Sequence, residues 1–473
     1  MNREASQTIA ALNRALTHAT THFERLGSAP VHATVGAEEL RRRLGGLLPV
    51  KGTPSVEVVD ALVAGTAGGH LGSSGGRFFA WVIGGALDSA LAADWLTSTW
   101  DQNAALHATA PAAAVVEELA GAWLKELLGL PGEASFAFTT GCQLAHFTCL
   151  AAARYAVLRA LAWDVNADGL FEAPPVRVIV SELRHASVDR ALRFLGFGQR
   201  ALTVVPTTSA GVVDRAAFEA ALAREAGPAI VVLDAADLNV AAFDHFAELV
   251  PLAKRAGAWV HVDGAFGLIA RASRSKRELM TGIELADSWA TDAHKWLNVP
   301  FDSGFAVIRD RAAHRASMTV NASYITASEA VRDQIDWNPE WSRRARGFAV
   351  YAALRELGRD GVEDLVDRCC AHATALVAGL GALPGARVEW APTLNQGLVR
   401  FLDPRPTATE ADHERRTDET IAAINGTGEA FFSGTTWRGR RCMRVSVVSW
   451  RTTADDVARA IAAAKLVLGR AHA

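Results

Sequence analysis

The stretch from Trp259 to Gly304 constrains this chain more than any other. It opens with the short, largely apolar run Trp259-Val260-His261-Val262, closes that run on Asp263, and continues with Gly264, Ala265 and Gly267. Such a pattern reads as a buried strand that delivers a carboxylate to its C-terminal end, where small residues leave room for a ligand. The stretch then reaches Asp292-Ala293-His294-Lys295-Trp296. Lysine is seldom fully buried unless its amine is occupied, and Lys295 stands between a histidine and a tryptophan in largely uncharged surroundings. An aldehyde would occupy such an amine. A ring nitrogen that wants an anion and an aldehyde that wants an amine meet in pyridoxal 5'-phosphate (PLP), so Asp263 and Lys295 together point to that cofactor.

Composition narrows the remaining classes. With 473 residues, half of them hydrophobic, the chain can bury a large core in about two or three domains. A net charge of −3 leaves no footprint for nucleic acid or an anionic membrane surface. The five cysteines (Cys142, Cys149, Cys369, Cys370, Cys442) form no CxxC pair and no His/Cys ligand spacing, so no metal site is expected. The opening MNREASQTIAALNRAL lacks an apolar signal region, and no uncharged run is long enough to span a bilayer. The expectation is a cytoplasmic protein with free thiols.

Residues 1–85 read as an N-terminal helical segment that ends in the glycine-rich GTAGGHLGSSGGRFFAW. The helices suit either a plain surface or an arm that packs on a second subunit. Residues 86–342 alternate strands and helices: strands near 136–138, 176–180, 203–205, 230–233 and 259–262, with helices between them. This alternation predicts an α/β fold with a mainly parallel central sheet covered by helices on both faces, and ligands at the C-terminal strand ends. Thr140, His185, Asn239 and Asp263 fall just past such ends. The turn Thr140-Gly141-Cys142-Gln143 between strand and helix has the form of a phosphate cradle, though many such turns bind nothing. Residues 311–342 are mixed and polar, in the manner of a mobile loop. Residues 343–473 read as a separate, smaller α+β domain.

Each candidate carries a plain alternative. Lys295 holds the cofactor aldehyde or is a surface lysine; Asp263 keeps the pyridine nitrogen protonated or merely caps a strand. His185 stacks over the ring or is an ordinary exposed histidine, and Ala265 is small enough for the ring's other face. His294 reaches the phosphate or sits in the core. Arg343, Arg344 and Arg346 form a carboxylate clamp or a solvated helix face.

The stretch HVDGAFG…ADSWATDAHKWLNVPFDSG, with TTGCQLAHFTCLAAAR upstream and SRRARGFAVYAALRELG downstream, resembles the group II PLP-dependent amino-acid decarboxylases over roughly residues 65–465. The resemblance implies PLP fold type I, a homodimer with shared active sites, an amino acid as substrate and α-decarboxylation to the amine. It also implies roles. Lys295 holds the aldehyde, Asp263 faces the ring nitrogen, His185 and Ala265 flank the ring, and Gly141, Cys142, Gln143 and His294 hold the phosphate. Asn239 lies beside the cofactor. Arg344 clamps the substrate carboxylate, and Arg77, Phe79 and Tyr324 shape the substrate pocket. Three departures stand out. Gln143 replaces a hydroxyl residue, Gly75–Phe79 replaces a His-Pro before the aromatic pair, and the family's loop tyrosine, a proton donor, falls near Gln334. Oxidative deamination to an aldehyde, transamination, C–C cleavage and a non-catalytic scaffold therefore remain as alternative outcomes on the same fold.

Overall fold

The computed structural model describes residues 3–224, 227–320 and 331–470, which divide into two units. One unit comprises residues 1–81, 375–389 and 398–473; the other comprises 82–374 and 390–397. In the first, helices α1 (Arg3–Leu26), α2 (Ala37–Leu44) and α3 (Ser55–Thr66) cover the N-terminal segment. Asp60 of α3 ties α1 down, accepting from Arg14 Nη2 at 2.7 Å and lying 2.7 Å from His18 Nε2. Much of their apolar surface stays open: Leu12 and Leu16 are exposed on one face of α1, and Leu47 and Leu48 beyond α2 are over nine-tenths exposed.

The second unit begins with α4 (Asp88–Trp100) and α5 (Pro111–Leu127), whose first residue is a proline with a preset helical φ. Strand β1 (Ser135–Thr139) follows, then the long α6 (Cys142–Arg159), the short α7 (Val165–Asp168), β2 (Arg177–Ser181) and α8 (Ala186–Phe194). Strands β3 (Leu202–Val205), β4 (Ala229–Asp234), β5 (Trp259–Asp263), β6 (Ser288–Asp292) and β7 (Gly304–Ile308) complete a sheet of order β1-β7-β6-β5-β4-β2-β3. Six of the seven strands run in one direction; β7 is antiparallel to both its neighbours, β6 and β1. The fold is the expected α/β sandwich around a mainly parallel sheet. Strand β6 escapes the sequence pattern, because Ser288-Trp289-Ala290-Thr291-Asp292 has one large apolar side chain and lies fully buried between two neighbours.

One sheet face packs on α6. Val178, Val180, Ile230, Val232, Ala290 and Ile308 meet Cys149, Leu150 and Ala153 there. The register pairs Asp234 with Asp263 across β4 and β5, so both carboxylates leave the sheet at the same level and on the same face. The smaller sheet of the first unit has order β10-β11-β9-β8, from β8 (Ala386–Trp390), β9 (Gln396–Phe401), β10 (Ser433–Trp437) and β11 (Arg440–Ser446). Among the described residues no helix is long and apolar enough to cross a membrane.

Candidate active site

Strand ends place the central pair. Asp263 is the last residue of β5, and Lys295 follows β6 by three residues. The Lys295 Nζ lies 3.1 Å from Asp292 Oδ2, and its side chain is about one-fifth exposed. Burial works against the ammonium, but Asp292 and Asp263 more than offset it and hold its pKa above the ordinary lysine range. Asp263 is almost fully buried. Burial alone would raise its pKa; the hydrogen bond from His146, then Lys295 and the Ala265 N–H, outweigh that and hold it well below the usual carboxylate range. Oδ1 accepts from Ala265 N at 3.0 Å, and Oδ2 lies 3.4 Å from His146 Nε2.

The flanking residues gather at the same opening. His185 caps α8: its Nδ1 lies 2.7 Å from Ser187 Oγ and 3.3 Å from the Ser187 N–H, which fixes the ring while one edge stays open. The surrounding protein desolvates His185 and lowers its pKa, with Asp263, Lys295, His146 and Asp292 all within its electrostatic reach. Ala265 is partly buried beside Asp263. At the turn before α6, Gly141 has φ 135° and, as the N-cap residue, offers no side chain to the helix. A Cβ on Gly141 would lie 3.5 Å from His294 Cε1 and 3.7 Å from Asp292 Oδ1, so turn, histidine and carboxylate close on one small space. The Cys142 N–H donates to Asp292 Oδ1 at 2.6 Å, and burial pushes the Cys142 thiol well up. Gln143 Oε1 accepts from Arg190 at 3.1 Å. His294 Nδ1 meets Ser303 O at 3.0 Å, and burial lowers the pKa of its ring.

These residues fit PLP on structural grounds. A buried anion stands where a ring nitrogen would face it, a charged lysine faces the same strand-end opening, and the N-terminus of an eighteen-residue helix adjoins a histidine. Asp263, Lys295, His185, Ala265 and His294 would hold it, with the turn Gly141–Gln143.

The chain belongs to the pyridoxal-dependent decarboxylase family, whose conserved domain matches residues 72–401. These are PLP-dependent carboxy-lyases acting on amino acids. The chain is similar to an aromatic-L-amino-acid decarboxylase of Bacillus atrophaeus, at 27% identity over 444 residues, 92% of this chain and 90% of the relative. It is also similar to an L-2,4-diaminobutyrate decarboxylase of Rhizobium meliloti, at 29% identity, covering 78% of this chain and 73% of that one. Among solved structures, Oryza sativa TDC with PLP and tryptamine matches with a TM-score of 0.92 at 23% identity, covering 100% of this chain and 99% of that chain.

Other expectations meet a different arrangement. Arg344 does not stand free as a clamp: its Nη2 donates to Asp94 Oδ1 at 2.7 Å and Ser98 Oγ at 3.0 Å on α4. Arg346 is the arginine joined to the lysine-bearing segment, through Asp302 at 2.8 Å. Arg77 is buried, and its guanidinium donates to the carbonyls of Gly27, Ala29, Gly428 and Glu429 within its own unit, which makes it a tie between segments rather than a pocket residue. Phe79 is fully buried and stacks on Phe432 at 5.4 Å between centroids, again in the core of that unit. Asn239 belongs to a turn closed by Asp237, to whose Oδ1 it donates its N–H at 2.8 Å; the β4 residue level with Asp263 is Asp234. Gln334 is buried in a single 3-10 turn rather than in an open loop. Tyr324 lies outside the described residues.

Four site residues escaped the sequence reading: His146, His261, Asp292 and Asp234. The signals were present but local. His146 is one helical turn beyond Cys142, His261 is two residues before Asp263 on the same strand face, and Asp292 is three before Lys295.

Proposed function

We propose that this protein removes the α-carboxylate of an L-amino acid to give the amine and CO2, as a homodimer. The observation that carries the reading is the buried, anionic Asp263 at the same strand-end opening as the charged Lys295. Bound there, PLP supplies an aldehyde that captures the substrate amine and a protonated ring that accepts the electrons released when CO2 departs.

The chain's own residues then have distinct tasks. Asp263 holds the proton at the ring nitrogen. His185 and Ala265 confine the ring from its two faces. Lys295 would hold the cofactor aldehyde and, once its amine is free, would take up a proton beside Asp292 and return one to Cα. Gln334 is buried and bears no acid, which favours Lys295 as that donor. The α1–α3 segment, with its exposed leucines, supplies the dimer contact.

A panel of aromatic, acidic and diamino L-amino acids tests the reading, with CO2, amine, aldehyde and hydrogen peroxide measured together. Amine with CO2 and no peroxide is the expected outcome. Aldehyde with peroxide would replace decarboxylation by oxidative deamination. Borohydride should fix PLP to the wild type and not to Lys295→Ala.

A further inference from the structure

We infer that His146 and His261, backed by Ser288, form a buried hydrogen-bond chain that positions Asp263 and keeps the cofactor ring nitrogen protonated. The inference rests on the reading that Asp263 faces that nitrogen. The chain is continuous. Asp263 Oδ2 lies 3.4 Å from His146 Nε2, His146 Nδ1 lies 2.9 Å from His261 Nε2, and His261 Nδ1 lies 2.9 Å from Ser288 Oγ. Trp259 Nε1, which can only donate, closes the far end on Ser288 Oγ at 2.9 Å. His146, His261 and Ser288 are completely buried, and the two imidazoles stand at 90°.

Proton counting gives the chain a direction. One proton is shared between His146 Nδ1 and His261 Nε2, so one ring donates and the other accepts. Trp259 donates to one of the two lone pairs of Ser288 Oγ, and a neutral His146 that donates to Asp263 requires the serine hydroxyl proton to go to His261 Nδ1. His261 then donates through Nε2 to His146, whose Nε2–H is shared between Asp263 Oδ2 and Cys142 Sγ, each 3.4 Å away. In this arrangement both rings are neutral. Burial lowers His261 to about 3, in accord with a neutral ring. The opposite direction can serve Asp263 only if His146 is an imidazolium. With a pyridinium also facing Asp263, that would place two buried cations on one carboxylate, which is unfavourable. The separation of 3.4 Å also exceeds the roughly 2.7–2.9 Å of a charge-assisted N–H···O bond. A neutral His146 therefore leaves Asp263 a full anion for the ring while restricting its rotation.

His146 is a positioning residue, because it acts through Asp263. Other groups face Asp263: Lys295 after β6, Asp234 on β4, Cys142 on α6 and His185 at the start of α8. None of them is changed in the following test.

Holoenzyme is prepared with PLP labelled with 15N in the ring, for wild type, His146→Leu, His146→Gln and Ser288→Ala. The ring 15N shift is followed against pH, and PLP affinity is measured by equilibrium dialysis. In His146→Leu the ring nitrogen should lose its proton at lower pH than in wild type, and PLP should bind about tenfold more weakly, the scale on which outer hydrogen-bond partners act. His146→Gln keeps a donor near the Nε2 position and should recover most of both. Ser288→Ala, which alters little volume, should shift the same way to a smaller extent and covers the case in which the leucine variant misfolds. Unmoved 15N titrations in His146→Leu and Ser288→Ala would overturn the inference, as would a metal ion bound by Cys142, His146 and Asp263 in the holoenzyme. Failure of the underlying assignment looks different: wild type itself would not carry PLP on Lys295.

Discussion

At the residue scale, buried charges dominate what single replacements do. Arg343 and Glu117 are both completely buried and meet at 2.9 Å. Burial raises the pKa of Glu117 and Arg343 opposes that shift, so the carboxylate depends on its partner for its charge. Arg343→Met leaves Glu117 unpaired and should lower stability by about 3–5 kcal/mol. Replacing both by apolar residues should recover most of that loss, as urea unfolding at neutral pH would reveal. The buried histidines set the acid limit. Burial lowers both His261 and His314 to about 3, whereas an unfolded histidine takes up its proton near pH 6.5, at about 1.4 kcal/mol for each unit of difference. The unfolded chain therefore binds more protons between these values. Stability is fully present above about pH 6.5 and declines as pH falls toward 3. Urea midpoints across this range should show that decline, and His314→Gln should flatten part of it.

At the element scale, the site depends on close approaches between turns. A Cβ on Gly304, the first residue of β7, would lie 2.4 Å from the carbonyl carbon of Gly141 in the turn before α6. The atom it would meet is backbone and cannot move aside cheaply. Gly304→Ala should displace the turn and weaken PLP binding more than it lowers the unfolding temperature, and dialysis beside calorimetry distinguishes the two. Gly84 is tighter still, since a Cβ there would lie 1.9 Å from Lys295 O. Asn298 braces the same region by accepting from the Gly85 N–H at 2.8 Å. Gly84→Ala should therefore disturb the lysine-bearing turn itself, read as a smaller fraction of enzyme that borohydride can label.

At the scale of the whole molecule, the exposed apolar residues of the N-terminal helices bear on assembly. Leu12 and Leu16 share one face of α1 and are about half exposed. The proposed homodimer would cover them. Light scattering should give a dimer for the wild type, and Leu12→Glu with Leu16→Glu should shift it toward monomer with loss of decarboxylation. A fully active wild-type monomer would exclude the proposal.

The cofactor-bearing elements were legible because their signals are local. A largely apolar run ending in Asp263 and small residues, and a lysine between His294 and Trp296, announce a strand end and a buried amine through neighbours in the chain. Alternating runs likewise announced the parallel sheet. Strand β6 stayed hidden, since its burial comes from β5 and β7 rather than from its own side chains. Register and long-range contact lay beyond the sequence. Only the folded chain brings His146 to Asp263, sets Asp234 level with it, commits Arg344 to Asp94 and Arg77 to backbone carbonyls, and buries Gln334. Which polar groups meet is a property of packing between distant elements. The sequence by itself determined the elements that carry Asp263 and Lys295, and the tertiary structure decided which partners give them their charge.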